Sequence, residues 1–474
     1  MAYRQRMEIL GSYEGAGKGR RTKNWRTSSG SANAETRSSL ATLRDRSRDL
    51  VRNNPYAAAA IREIPAHTVG AGIIPQAQAR NRRATERAED LVKRWFDTTA
   101  CDSEGRHNFY GLQSLAMRTM VESGECLIRR RVRRQEDGLP VPMQLQVMEP
   151  DHIDMTMDGH RRGENMIIQG IEYNPIGQRV AYWLFPHHPG ELAPYRYGLT
   201  SRRIPAEEII HLYRVDRPGQ VRGVPWAAPV ILRLRDFDEY EDAQLVRQKI
   251  AACYAAFMYN PDPMAGGGDQ DDMVLPDKLE PGMIEELPAG KDIRFAEPPA
   301  VEGYDAFSMV TLHAVATGFG VPYSLLTGDL RQVNFSSGRM GRLDFHRSVE
   351  QWRWNTLVPQ MCMGVWRWFE QMAQMQGNVG PLDVTWTAPR RDLVDPSREV
   401  PAIRDAVRSG LITQSEAIRE QGYDPADFWA ERERDQEEMD RRGITLDTDP
   451  RKVSISGVTQ ARPADSELPP TSED

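Results

Sequence analysis

The densest knot of ionisable side chains in this sequence is acidic: Asp236, Asp238, Glu239, Glu241 and Asp242 fall within seven residues. Carboxylates packed so closely are the ligand set of two-metal phosphoryl chemistry, in which paired cations clamp the attacking and leaving oxygens. The surrounding pattern is helical, and each residue of a helix is turned about 100° from the last. The five side chains therefore point to several faces and not to one ion. A metal-dependent nuclease or hydrolase using the cluster around Asp236 stands as the competing reading of another class, separable by an activity assay with divalent metal.

The other chemistry-bearing patterns are incomplete. Gly15-Ala16-Gly17-Lys18-Gly19 superficially resembles a phosphate loop, but the first glycine, the hydroxyl residue after the lysine and a preceding strand are missing. Gly70-Ala71-Gly72 does not extend to GxGxxG. His187-His188 are of metal-binding type, yet no HExxH, paired cysteines or carboxylate sits at ligand spacing. No GxSxG elbow occurs. Asn334-Phe335-Ser336 matches a glycosylation sequon, which means nothing without secretion. Arg129-Arg130-Arg131-Val132-Arg133-Arg134 is the densest basic run. On a strand its arginines alternate between faces, which reads as a solvated edge or subunit contact, with nucleic-acid contact as the other reading. No catalytic residue, metal or cofactor is nominated.

The elements that position these residues fall into blocks. Residues 1–52 carry twelve Lys/Arg against five Asp/Glu, a net of +7, and read as a loose basic arm followed by a helix over 34–52. Asn53-Asn54-Pro55 breaks that helix, because the residue before proline avoids the α region. A helix restarts over 55–69 with proline in its first turn. Further helices are expected over 82–98 and 110–123. From 125 to 211 the pattern changes to short strands: 126–132, 143–148, 166–173, 180–185 and 209–213. Helix returns at 225 and runs to 259, about 45 Å at 1.5 Å per residue. Val230, Leu234, Phe237, Tyr240, Ala243, Val246, Ile250, Cys253 and Phe257 make one seam along it at spacings of three or four. Residues 260–304 are rich in Pro, Gly and Asp, with strand candidates at 283–287 and 293–295. A shorter helix spans 306–319, a polar loop 321–337, and a long Trp-rich helix 338–376, bent near Pro359. A short strand at 384–387 and helices at 401–408 and 413–421 follow, Thr413 and Glu416 resembling a capping box. Residues 431–474 hold twelve Asp/Glu and seven Lys/Arg, a net of −5, and the last stretch has a disordered composition.

The bulk numbers bound the rest. At 474 residues the chain can hold two to four domains. Its net charge of −7 argues against simple neutralisation of DNA phosphates. Cys101, Cys126, Cys253 and Cys362 form no CxxC pair and read as reduced thiols. The N-terminus lacks the apolar core of a signal peptide. The most apolar helical stretch, 250–258, is far shorter than the ~18–20 residues that span a bilayer. The expectation is a soluble intracellular protein with no membrane contact.

Several segments together resemble the lambda-type phage portal family. Asn54-Pro55-Tyr56 leading into Gly70-Ala71-Gly72-Ile73-Ile74-Pro75 looks like its N-terminal helix and glycine turn. Glu122-Ser123-Gly124-Glu125-Cys126 looks like a small-residue lead into a wing strand. His211-Leu212-Tyr213 through Arg217-Pro218-Gly219-Gln220-Val221-Arg222-Gly223-Val224-Pro225 is the most specific segment. Val321-Pro322-Tyr323-Ser324-Leu325-Leu326-Thr327-Gly328-Asp329, then Asn334-Phe335-Ser336-Ser337, is the second. The resemblance covers about residues 50–430, and the order and spacing of the segments carry it.

The resemblance implies an α+β, mainly helical portal fold with wing, stem, clip and crown, arranged as a ring of about twelve copies around a central channel. The blocks then become an N-terminal arm and first helix (1–52), a wing (53–225), a stem helix (226–259), a clip (260–305) and a second stem helix (306–319). A tunnel loop (320–337), the Trp-rich helix with its return to the wing (338–394), a crown (395–440) and an acidic tail (441–474) follow. Implied partners are further copies of the chain, double-stranded DNA in the channel, the terminase large subunit, major capsid and scaffold proteins, and a head-tail adaptor. The place is the capsid vertex of the virion, after assembly in the host cytoplasm. A gene-transfer agent or defective prophage using the same architecture is the nearest alternative. Asp236, Glu239 and Asp242 become channel-lining acids, since repulsion removes deep binding minima along a DNA track. Leu234, Phe237, Val246 and Ile250 become packing residues. Arg331, Gln332, Asn334 and Ser336 become candidate DNA contacts, with a subunit-packing loop as the equal alternative.

Overall fold

The computed structural model describes residues 22–191, 200–252, 256–259, 292–295 and 303–446, apart from 378, 391, 392, 394 and 445, together with residues 16 and 20. Most of the block expected as the clip, and the tail beyond 446, lie outside the described residues. The helices are α1 (Ala32–Thr36), α2 (Leu40–Asn53), α3 (Pro55–Thr68), α4 (Arg82–Phe96), α5 (Phe109–Ser123), α6 (Ile231–Ala252) and α7 (Tyr304–Phe319). They continue with α8 (Tyr323–Thr327), α9 (Phe335–Trp352), α10 (Met363–Met375), α11 (Pro396–Arg408), α12 (Gln414–Glu420) and α13 (Pro425–Arg442). The strands are β1 (Ile74–Gln78), β2 (Glu125–Val132), β3 (Met143–Met148), β4 (Arg161–Arg162), β5 (Asn165–Ile168), β6 (Ile171–Tyr173), β7 (Arg179–Leu184), β8 (Arg202–Pro205), β9 (Ile209–Tyr213), β10 (Ala256–Tyr259), β11 (Asp292–Phe295) and β12 (Asp383–Thr387). They form sheets of order β4-β5-β6-β7-β8, β3-β2-β9, β1-β12 and β10-β11.

The chain divides into two compact units. The first comprises Met1–Ala58, Thr119–Leu127 and Met148–Phe319. Its five-stranded antiparallel sheet packs a core of Leu127, Met148, Ile153, Ile171, Tyr182, Leu184 and Ile209. Residues 166–173, read from sequence as one strand, are two. They fold back at Gln169 and Gly170, both at positive φ (47° and 83°), so that Ile168 faces Ile171. Two consecutive positive φ values are what a tight two-residue hairpin needs. At the start of α3, Asn54 is extended (ψ 121°) ahead of Pro55, and its side-chain oxygen accepts from the Ala57 amide at 2.9 Å. The same residue thus ends one helix and caps the next.

The expected stem helix is shorter than its hydrophobic seam. It begins at Ile231 and ends at Ala252, and residues 256–259 form a strand paired antiparallel to Asp292–Phe295. The aromatic and β-favouring character of Phe257 and Tyr259 suits that ladder, and the seam's three- and four-residue spacing continues through it by coincidence. Leu234 and Phe237 are buried, Tyr240 is half-buried, and Ala243 and Val246 are exposed. The side chains of Ile250 and Cys253 lie outside the described residues. α7 lies against the start of α6, so closely that a Cβ on Gly318 would sit 2.2 Å from Val230 Cγ1.

The second unit comprises Ala59–Arg118, Ile128–Val147 and Gly320–Asp474. Its core is aromatic: Phe96 meets Trp95, Phe109 and Phe369 edge to face at 4.7–5.0 Å between centroids, and Trp366 packs on Phe369 at 5.3 Å. The Trp-rich segment supplies Trp366 and Phe369 of that cluster. Between α9 and α10 it winds as a π-helix over Arg353–Cys362, and Pro359, where a bend was expected, lies inside that stretch. Arg353, buried in this turn, donates to the carbonyls of Thr68 (2.9 Å) and His67 (3.1 Å) and so caps the C-terminal end of α3. α13 was not anticipated. Asp424 caps it by accepting from Ala426 N at 2.7 Å, Pro425 opens it, and Gly443 closes it at φ 67°.

Candidate functional site

The acidic cluster on α6 separates into two sets. Asp236, Glu239 and Asp242, at spacings of three, are exposed. Asp238 and Glu241 turn inward, where Asp238 accepts from the Asn54 side chain at 2.6 Å and Glu241 from the Tyr304 hydroxyl at 3.0 Å. Partial burial raises the pKa of both, against those hydrogen bonds. Glu239 is bridged by Arg235 at 2.9 Å. The five carboxylates do not converge. Among the described residues, the one trio with metal-ligand geometry is elsewhere, at Glu149, Asp151 and His188. Sequence spacing gave no sign of these partners for His188. Arg48 already fills the trio, 2.6 Å from Asp151 and 3.5 Å from Glu149.

Beside the acidic stripe, α6 and α7 expose apolar side chains. Leu232 is 70% exposed and Val310 69%, while Val246 and Phe307 are about half exposed. Tyr240, tilted against Phe307 (4.6 Å) and stacked on Tyr304 (6.0 Å), ties the two helices together.

The segment expected as a loop over 320–337 is largely structured. α8 takes Tyr323–Thr327 and ends at Gly328 (φ 71°), leaving an irregular stretch from Gly328 to Val333. Asn334 is the N-cap of α9: its side-chain oxygen accepts from Ser337 N at 2.8 Å, and Ser337 Oγ accepts from Asn334 N at 3.1 Å. Ser336 is exposed in the first turn. Arg331 is held by Asp329 in a fork, Nε at 3.0 Å and Nη2 at 2.9 Å, which holds the Asp329 carboxyl down to about 2. Gln332 is exposed, beside Leu330 at 64% exposure.

A site no sequence pattern nominated lies in the first unit, where the two segments Glu122–Cys126 and 211–225 meet. Glu125, fully buried, accepts from Arg222 Nε (2.9 and 3.0 Å), from Arg222 Nη2, from the Gly223 amide (3.0 Å), from His211 Nε2 (2.9 Å) and from Arg44 Nη2 (3.3 Å). Burial alone would raise its pKa; the Arg222 charge and the His211 contact outweigh this and hold it well below the carboxylate range. Burial lowers His211, so its neutral ring donates to Glu125. Arg44 continues to Asp151 at 3.1 Å. The backbones touch as well: a Cβ on Gly223 would lie 2.1 Å from Gly124 O, and Gly124 itself is at φ +89°. The available signal was a lone Glu at the head of a strand and a lone His within a buried apolar strand.

The described chain is a mixed α/β protein whose buried charges brace its own segments. Residues 18–353 match the phage portal protein, lambda family, and the chain belongs to that family. It is 26% identical over 450 residues to a probable portal protein of Halomonas phage phiHAP-1, covering 89% of this chain and 85% of that protein. It is 22% identical over 487 residues to portal protein B of Escherichia phage lambda, covering 91% and 90%. Among solved structures, a chain of the virion of a native gene transfer agent particle aligns with a TM-score of 0.48 at 14% identity, over 82% of this chain and 94% of that one.

Proposed function

We propose that this protein assembles into a ring of about twelve copies at one capsid vertex and forms the channel through which double-stranded DNA is packaged and ejected. The observation that carries the reading is the family match over residues 18–353. The terminase large subunit docks on the ring during packaging and supplies the hydrolysis; the portal subunit itself turns over nothing. Major capsid and scaffold proteins surround it, and a head-tail adaptor replaces the terminase afterwards. The exposed apolar side chains of α6 and α7 support subunit packing, because exposed apolar patches of this kind are interaction surfaces. Leu234 and Phe237 then act by holding the helix pair together, and Val246, with Ile250, by meeting the neighbour. The exposed stripe of Asp236, Glu239 and Asp242 supports a channel wall that repels DNA and so does not trap it. Arg331, Gln332, Asn334 and Ser336 are the groups we assign to DNA contact, Arg331 already paired and Asn334 already capping a helix.

Negative-stain images and native mass of the purified full-length protein test the ring: annular particles of ten or more subunits are expected, and a monomer at every salt concentration refutes it. A gene-transfer agent is the second reading. The DNA recovered from particles separates the two, a single phage genome in one case and random host fragments in the other.

A further inference from the structure

A cavity of about 970 Å³ lies wholly within the second unit, bounded by the C-terminal end of α3, α9, the segment after β12, α11 and α12. Arg339, Arg342, His346, Glu350 and Arg353 recur at spacings of three and four, so a single helix face carries a basic stripe into it. Arg390 and Arg419 line it too. Three of its four glutamates are engaged locally: Glu350 by Arg353 at 2.6 Å, Glu416 by Arg419 at 2.6 Å, and Glu399 at 3.8 Å from Arg339. Five arginines against four glutamates leave a positive balance before His67 or His346 takes a proton. Glu350 also accepts from the indole N–H of Trp354 at 2.7 Å. That bond fixes the indole edge, while the ring stays 40% exposed.

We propose that this cavity binds a phosphate ester carrying a nucleobase, the phosphate held by Arg339, Arg342 and Arg390 and the base stacked on Trp354. The volume falls in the range of small-ligand sites, about 300–1,000 Å³. Arginine forks match phosphate oxygens, and a positioned aromatic face is a sequence-tolerant platform for any base. One nucleotide of a strand and a free nucleotide present this same chemistry. The assignment is independent of the ring and of the segment around Arg331.

The test uses full-length protein, a fluorescent oligothymidylate of about ten nucleotides, and AMP as competitor, read by anisotropy. With about two phosphates engaged, affinity should fall about sevenfold from about 50 to about 200 mM salt. Arg342→Glu with Arg390→Glu should weaken binding at least tenfold, and Trp354→Leu about fivefold or more, with the thermal midpoint unchanged. Arg390→Glu alone, an exposed side chain, serves if the double variant does not fold. Displacement by AMP assigns a free nucleotide; variant-sensitive binding without displacement assigns a strand. Binding that survives both charge reversals belongs to another basic surface, such as the N-terminal arm, and overturns the proposal, as does the absence of binding at low salt.

Discussion

Replacing Glu125 by glutamine isolates the buried clasp of the first unit. Glutamine keeps the shape and one carbonyl oxygen, but it removes the charge and turns one acceptor into a donor among donors. Arg222, with no accessible surface, would keep the Gln169 carbonyl at 3.1 Å and at most one neutral oxygen at position 125, shared with the other donors, in place of a carboxylate. Removing one member of a buried ion pair costs about 3–5 kcal/mol, chiefly through the stranded charge. For a unit of this size each kcal/mol moves the midpoint by roughly 2–4 °C, so Glu125→Gln should lower the melting temperature of this unit by about 6–20 °C. Urea titration followed by circular dichroism measures the same loss as a shifted midpoint. Adding Arg222→Met should restore part of it, because the orphaned charge is then gone. A single mutant within about 0.5 kcal/mol of the wild type, the range of ordinary surface substitutions, would refute the clasp as a source of stability.

The same residues set the response to acid. His211 is lowered by burial and Glu125 and Asp151 (to about 2) by their arginine partners, so in each case the unfolded chain binds protons more readily than the folded one. Stability should be full above about pH 6.5, decline first as His211 is forced to charge, and fall further through the carboxylate range as pH drops towards 2; a melting temperature flat from pH 7 to 3 contradicts this. Phe237→Asp buries an unpaired charge at several kcal/mol and should unfold the α6 region, whereas Val246→Glu, at an exposed position, should leave the monomer's circular dichroism intact and abolish rings. Rings at wild-type yield from Val246→Glu would remove that side chain from the subunit contact. Arg331→Ala with Gln332→Ala should leave rings intact and impair packaging or retention, measured as the length of DNA protected in heads; normal packaging assigns the segment to structure alone.

Much of the fold was legible because proline and glycine punctuate it. Asn54-Pro55 and Gly70-Ala71-Gly72 bound α3, and Ile209–Tyr213 stands as read, since a run of apolar residues between turn signals suits a buried strand. Periodicity failed where two elements share a phase, as at Ala256–Tyr259, or where a turn lacks a strong signature, as at Gln169-Gly170. α13 had its signals in Asp424-Pro425 and Gly443, but its charge density resembles that of a tail. The Glu125 clasp was out of reach for a different reason. Its partner Arg222 is 97 residues away, and the spacing of apolar residues tells which face a side chain occupies, never which distant side chain it meets.

The pairing of Arg331 with Asp329 changes what a DNA contact there could be. A bare arginine repeated about twelve times around a channel would release a counterion at each phosphate it met, and affinity compounds with every such contact. A ring of that kind would hold DNA fast. With Asp329 only 17% exposed and its carboxylate forked by the guanidinium, much of the cation's field is cancelled beyond a few ångströms. On the proposed channel wall, the exposed Asp236, Glu239 and Asp242 would work in the same direction over a longer range, within a Debye length of about 8–10 Å. Both features favour a surface that meets DNA briefly and lets it pass, which is the physical demand on a channel that must fill and later empty.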